Sequence, residues 1–260
     1  MIAWPCCKDI IAAAMSMLFA ALVAQPVQAQ QCATEAFEKV SYVVCSVDPA
    51  ASDLRLFWKN SRNEPYRTFS GLARALRNQG HELVFAVNAG MYQSDFSPLG
   101  LFIEEGEELR PANTTTIEAP PREIPNFYKK PNGIFFLGEA AAGILPTDAF
   151  LKLRPRARFA TQSGPMLVIE NELHPAFIAG SSDLTRRSGV GVCKGGQVRF
   201  AISDGSVNFH DFARLFRDRL ACPNALFLDG GRGVGLYLPS MRRNDFSWHG
   251  GYGPIFGLVE

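Results

Sequence analysis

The chain has 260 residues, 47% hydrophobic and 20% charged, with 26 Lys and Arg against 25 Asp and Glu for a formal charge of +1. That balance excludes a chain built to grip a phosphate backbone, which carries a clear basic excess, so no nucleic-acid partner is expected. It also excludes a disordered chain, poor in apolar residues and far from neutrality, and the length suits a substantial core.

An apolar run from Ile10 to Ala24 follows a segment whose only cation is Lys8. Val27-Gln28-Ala29 sets small residues where a signal peptidase reads. Residues 1–29 are therefore expected to be a signal peptide and 30–260 the mature domain, periplasmic or secreted. The run is short for a membrane span and Pro26 follows it, so no stable membrane insertion is expected after cleavage. A retained anchor is the alternative. Cleavage removes Cys6 and Cys7 and leaves Cys32, Cys45, Cys193 and Cys222, with no C-x-x-C pair. An even number in an exported chain reads as two disulfides and not as a zinc site. Nearness in sequence favours Cys32 with Cys45 and Cys193 with Cys222, other pairings remaining open.

Short strands bounded by Gly, Pro, Asn or Asp follow, the first at 42–47 and 54–58. Thr68 caps a helix whose apolar stripe is Phe69, Leu72, Ala73 and Leu76, and Gly80 stops it. The strand at 83–87 runs into Asn88-Ala89-Gly90-Met91-Tyr92, where Gly90 allows a tight turn with exposed amides. The plainer reading is an Asn that favours turns. Residues 110–130 are Pro-rich and aperiodic, long enough for a functional surface loop near a site. After a strand at 134–137, Thr161-Gln162-Ser163-Gly164-Pro165 leads into the strand at 166–169. Ser163 lacks a G-x-S-x-G elbow and a following helix, so it reads as a hydroxyl donor to substrate, or as part of a turn.

Arg186 and Arg187 stand before a strand at 190–193. Such a pair is usually solvated charge; at a strand mouth one of them offers a rigid fork suited to phosphate. The strand at 198–202 ends in Ser203-Asp204-Gly205, where Asp204 is either a site carboxylate or part of a hairpin turn. Asn208 with Asp211 resembles a capping box, opening a helix lined by Phe209, Phe212, Ala213, Phe216 and Leu220. The strand at 225–228 runs straight into Asp229-Gly230-Gly231, and a carboxylate there is costly to place unless it has a partner or a task. Strand character returns at 234–238 and again at 254–259, so this is no phosphate loop opening a helix.

Two helices cannot supply the crossovers of a parallel sheet with this many strands. The expected fold is α+β: a single domain with a mixed, largely antiparallel sheet and a few flanking helices. His81-Glu82 lacks the second His of H-E-x-x-H, and the four histidines are scattered. Zinc is not expected; a divalent cation such as calcium stays open as a cofactor, with no ligand assigned.

Taken together, these segments resemble the phosphodiester glycosidase family. The matching residues are Asn88 to Tyr92, Asn132-Gly133, Thr161 to Pro165, Arg187 with Gly189-Val190-Gly191-Val192, Ser203-Asp204 and Leu228-Asp229-Gly230-Gly231. They run in the family's order from about residue 83 to the C-terminus. The resemblance implies an exported hydrolase that cleaves a sugar from a sugar 1-phosphodiester, so the expected partner is a small saccharide or glycan phosphodiester. Asp229, with Asp204, would activate water or steady an oxocarbenium-like transition state, and Arg187 would stabilise the leaving phosphate. Asn88, Gln162 and Ser163 would hold sugar hydroxyls, with Gly90, Tyr92, Asn132, Gly164, Gly230 and Gly231 completing the substrate site. The family commonly continues Asp-Gly-Gly with Gly-Ser, where this chain has Arg232-Gly233. The alternative of another class is a non-catalytic periplasmic module that binds glycans or envelope phosphates.

Overall fold

The computed structural model describes residues 31–260, so the expected signal segment lies outside the described residues. A hairpin opens the fold, β1 (Gln31–Phe37) and β2 (Val40–Val47). In β2, Val43, Cys45 and Val47 enter one apolar cluster while Tyr42 and Val44 enter another. This period of two, apolar on both faces, marks a strand covered on both sides.

The chain continues through β3 (Asp53–Phe57), helix α1 (Phe69–Arg77) and β4 (Leu83–Asn88). The Thr68 hydroxyl caps α1 by accepting from the Gly71 amide at 3.0 Å. Next come β5 (Phe102–Glu104), β6 (Glu107–Arg110), β7 (Gly133–Leu137), β8 (Ala142–Pro146) and α2 (Thr147–Leu153). Then follow β9 (Phe159–Ser163), β10 (Met166–Ile169), β11 (Glu172–Leu173), β12 (Arg187–Val192) and β13 (Val198–Ser203). Helix α3 (Phe209–Arg214) is capped by Asn208 and runs on as a π-helical turn, Leu215–Arg219. The fold ends with β14 (Asn224–Gly230), β15 (Leu236–Leu238), β16 (Arg243–Asn244) and β17 (Ile255–Val259).

These strands form three sheets. The first has seven strands in the order β1-β2-β13-β12-β14-β10-β11; the second runs β16-β15-β4-β17-β3 and the third β6-β5-β9-β7-β8. The pairings within each are antiparallel, as hairpin connections and scarce helices require. One face of every sheet meets a shared core, where Phe200 of the first sheet, Phe85 and Phe256 of the second and Phe135 of the third pack together. Their ring centroids lie 5.2 to 6.3 Å apart, mostly edge-on or tilted. Each opposite face carries one helix: α3 on the first sheet, α1 on the second and α2 on the third. The fold is thus α+β, with a single core closed by three sheets.

Two disulfides fasten the first sheet. Cys32–Cys45 joins directly opposed residues of the β1–β2 hairpin, and Cys193–Cys222 ties the end of β12 to the segment before β14. The polar strand β9, the hairpin strand β1 and the shorter elements β5, β6, β8, β11, β16 and α2 carry weak sequence patterns and were not expected. Strand β12 begins at Arg187, three residues before the expected start.

Candidate active site

Strand β14 delivers the principal carboxylate. Leu226 and Leu228 enter the central core, while Ala225 and Phe227 enter the cluster beneath α3. Strict alternation would send Asp229 to the α3 side with Phe227. A register shift prevents this: Gly189 pairs with Phe227 and Ser188 with Asp229, leaving Leu228 as the extra residue of a β-bulge. Leu228 and Asp229 therefore look to the same side as Ser188. The Asp229 Oδ1 accepts from the Gly230 amide at 2.7 Å, and a Cβ on Gly233 would collide with Oδ2. Asp229 is half-buried, and the protein packed around its carboxyl group strips it of much of its hydration. That desolvation pushes its pKa up to about 7, with the Gly230 N–H opposing.

Asn88, fully buried at the end of β4, bridges the second sheet to the first. Its Nδ2 donates to Ser188 Oγ at 2.9 Å and its Oδ1 accepts from the Gly235 amide at 3.2 Å. The Ser188 hydroxyl in turn donates to the Asp229 carbonyl at 3.2 Å. The third sheet joins through β9, where Ser163 Oγ donates to the Leu228 carbonyl at 3.0 Å and Thr161 Oγ1 to the Ala89 carbonyl at 2.8 Å. The Ser163 hydroxyl is thus committed to backbone. Gly90, at φ +124°, lets the chain turn here with Thr161 Oγ1 only 3.2 Å from where a Cβ would stand.

Tyr92 completes this group. Its hydroxyl donates to the Gly251 carbonyl at 2.8 Å and lies 3.4 Å from Ser247 Oγ. Burial raises its pKa, the Ser247 hydrogen bond opposes this, and the charge of Asp229 adds to the rise, so the phenol stands within electrostatic reach of that carboxylate. Tyr252 is 1% exposed and its hydroxyl has no hydrogen-bond partner among the described residues; a Cβ on Gly235 would collide with it.

Other expected residues are not gathered here. Arg187 pairs with Gly230, and its side chain runs to the α3 side, the guanidinium carbon 3.6 Å from the Phe209 ring centroid. Nε donates to the Val207 carbonyl at 2.9 Å, and Nη2 to the Asp183 carbonyl at 3.1 Å and carboxylate at 3.2 Å. Only 1% of it is exposed; desolvation lowers its pKa, with Asp183 opposing. Arg187 and Asp229 are backbone neighbours on opposite faces of one sheet, so they do not face a common ligand. Asp204 is exposed beyond β13, in a 2.7 Å ion pair with Arg243. With β12 between β13 and β14 and Ile202 level with Asp229, the Asp204 backbone stands about 12 Å from that of Asp229.

Asn132 and Gln162 are each 1% exposed and turn their amides to neighbouring loops. Gly164 packs against Asn132, Gly230 against Phe227, and Gly231 donates its amide to the Arg186 carbonyl at 2.9 Å. Among the described residues, no cluster of three or more His, Cys, Asp or Glu side chains is placed to hold a metal ion. Ser188, Tyr252 and Asp245 were not singled out from sequence. Asp245 accepts from Arg186, Arg243 and the Leu236 amide at 3.0 to 3.3 Å beside this site. Their signal was faint: a Ser inside an arginine motif, a Tyr between glycines and an isolated Asp.

A family profile described as phosphodiester glycosidase matches residues 81–252, well over half of the chain. The chain is 30% identical over 226 residues to the uncharacterized protein YigE of Escherichia coli (strain K12), covering 86% of this chain and 85% of that one. Its fold is similar to the catalytic domain of zebrafish N-acetylglucosamine-1-phosphodiester alpha-N-acetylglucosaminidase, auto-inhibited by its pro-peptide. There the TM-score is 0.61 at 16% identity, over 91% of this chain and 84% of that one. A hypothetical protein from Synechocystis superposes with a TM-score of 0.53 at 15% identity, over 88% of this chain and 61% of that one. An α+β scaffold with a half-buried, desolvated carboxylate at a strand end is compatible with a hydrolase. The chain belongs to the phosphodiester glycosidase family.

Proposed function

We propose that the protein hydrolyses a sugar 1-phosphodiester, with the Asp229 carboxylate activating the water that attacks the anomeric carbon. The observation that carries this reading is the desolvated Asp229 carboxyl, its pKa pushed up to about 7, at a strand end within the matched region. A base poised near the working pH is ionised often enough to act and basic enough to take a proton. The water oxygen bonds to the anomeric carbon, its proton passes to Asp229, and the bond to the phosphate oxygen breaks. A phosphate monoester leaves with the electron pair and needs no proton from an acid.

Asn88 and Ser188 hold the strand that presents Asp229, and Tyr92 lines the approach. Arg187 acts here as a positioning residue, stapling the strand behind the Asp-Gly-Gly turn to Asp183 and Phe209. The charge of the leaving phosphate falls to Arg232, exposed in the turn that follows Asp229 and free of salt bridges among the described residues. Asp204 serves as counter-ion to Arg243. The sugar named by the zebrafish enzyme, N-acetylglucosamine, is the first to try.

Two disulfides are consistent with an extracytoplasmic location, and among the described residues no helix is long and apolar enough to cross a membrane. Our placement is the periplasm or the medium. The test incubates the purified chain with N-acetylglucosamine 1-(methyl phosphate) and follows methyl phosphate by phosphorus NMR. Asp229→Asn should slow release by about a thousandfold or more with the circular dichroism spectrum kept. Release at the parent rate would remove Asp229 from the chemistry. Saturable binding without turnover in the parent would favour a binding module.

A further inference from the structure

The Pro-rich segment at 110–130 has no part in the chemistry above, yet two buried amides hold it in place. Gln162 Oε1 accepts from the Leu101 amide at 3.0 Å and the Asn113 amide at 2.8 Å. Its Nε2 donates to the Asn113 carbonyl at 2.8 Å and to Thr147 Oγ1 at 3.2 Å. Thr147 in turn donates to Asn132 Oδ1 at 2.9 Å, and Asn132 Nδ2 donates to the Phe127 carbonyl at 2.9 Å. One continuous relay of buried polar groups thus fastens the segment near both of its ends. Burying two carboxamides gives little net stability, because their lost hydration offsets the bonds they make. What it does supply is a fixed shape for backbone whose regular structure, past Arg110 at the end of β6, is a single 3-10 turn at Asn126–Tyr128.

The backbone held this way forms a wall of an open cleft of about 500 Å³, lined by Gln93, Leu99, residues 110–115 and Tyr128. That volume lies within the range of small-molecule sites. The cleft is tied to the candidate active site through β9, where Gln162 holds Asn113 of the cleft wall and the next residue, Ser163, bonds the Leu228 carbonyl beside Asp229, and through Gln93, which follows Tyr92 and lines the cleft. Its surface offers side-chain amides, the hydroxyls of Thr114 and Thr115, one aromatic ring and one charge, Arg110. The acid within electrostatic reach of Arg110 is Asp95, whose carboxylate already accepts from the Ser97 amide at 2.9 Å and hydroxyl at 2.7 Å. No salt bridge engages Arg110 among the described residues. Hydroxyls and amides around an aromatic face suit a sugar ring, and an unpaired guanidinium suits a carboxylate or phosphate on that ring.

We propose that this cleft is a second saccharide subsite, which takes an anionic sugar on the far side of the phosphodiester with Arg110 against its charge. The inference rests on the hydrolase reading for the bond that is cut, but its binding arm does not. The test uses the Asp229→Asn chain and two probes, N-acetylglucosamine 1-phosphate esterified to glucuronic acid or to glucose. By calorimetry the glucuronate probe should bind about tenfold tighter than the glucose probe, and Arg110→Gln should reduce that preference to about twofold or less. An Asp229→Asn chain without preference, or a preference that survives the added Arg110→Gln, overturns the proposal. Turnover of the same probes by the parent separates the two ideas. An Arg110-dependent binding preference without turnover leaves the cleft standing and removes the hydrolase. Turnover of both probes without any binding preference does the reverse.

Discussion

At the scale of single residues, Asp229 joins stability to activity. Its pKa near 7 lies well above the value of about 4 for an exposed Asp. As pH rises from about 4 to about 7, the unfolded chain releases this proton first, so folding weakens across that window and the full loss is present above it. Because part of the residue meets solvent, the cost above pH 7 is on the order of 2 kcal/mol, below the nominal value of the shift. Asp229→Asn keeps an acceptor for the Gly230 amide and removes the charge. Its melting temperature should exceed the parent's at pH 8 and match it near pH 4. In the parent, kcat/KM should rise as pH passes through about 7 and level off above, because the base is the ionised form. A flat profile across that window would speak against Asp229 as the base.

The importance of Asp229 was legible in the chain, since a carboxylate directly after four apolar residues needs a reason. The direction of Arg187 was not. A bulge at Leu228 moves Asp229 to the opposite face from Arg187, and nothing in the residue pattern marks where the extra residue falls.

Among the elements, β9 shows the reverse situation. Its polar residues, Thr161 to Ser163, read as the approach to the next strand and not as a strand themselves, yet all five residues of β9 are buried in the third sheet. Polar side chains there serve as connectors: Thr161 and Ser163 to the turns beside Asp229, Gln162 to the Pro-rich wall. Replacing Gln162 with Ala would strand the Leu101 and Asn113 amides and the Asn113 carbonyl. The expected cost is about 3 kcal/mol in denaturant unfolding, with faster amide exchange at Leu101 and Asn113. Unchanged protection of those two amides would show that the wall stands without its relay. Helix α1, by contrast, was readable to within a few residues, because Thr68, the apolar stripe and Gly80 all act locally.

For the molecule as a whole, three sheets meeting at four phenylalanines form the core, and disulfides restrict the unfolded chain around it. Cys193–Cys222 closes 29 residues, so the Cys193→Ala, Cys222→Ala double variant should lose about 3.5 kcal/mol of unfolding free energy by the loop-entropy relation. The pair sits at the other end of β12 from Ser188, so this loss should appear in denaturant midpoints while kcat at 25 °C stays within about twofold. A comparable fall in kcat would mean that strain at the far end of β12 reaches the site.

Local chemistry was enough to establish short antiparallel strands, an even set of cysteines available for two bridges, and a carboxylate at the end of an apolar strand. Those properties depend on neighbours along the chain. The side to which each polar residue turns depends on register across strands, and one extra residue in β14 inverts it. For that reason the pairing of Asp229 with Ser188, the hydrogen bond from Asn88 to that serine, the seclusion of Arg187 under α3 and the cleft lined by Gln93 emerged only once the sheets were assembled.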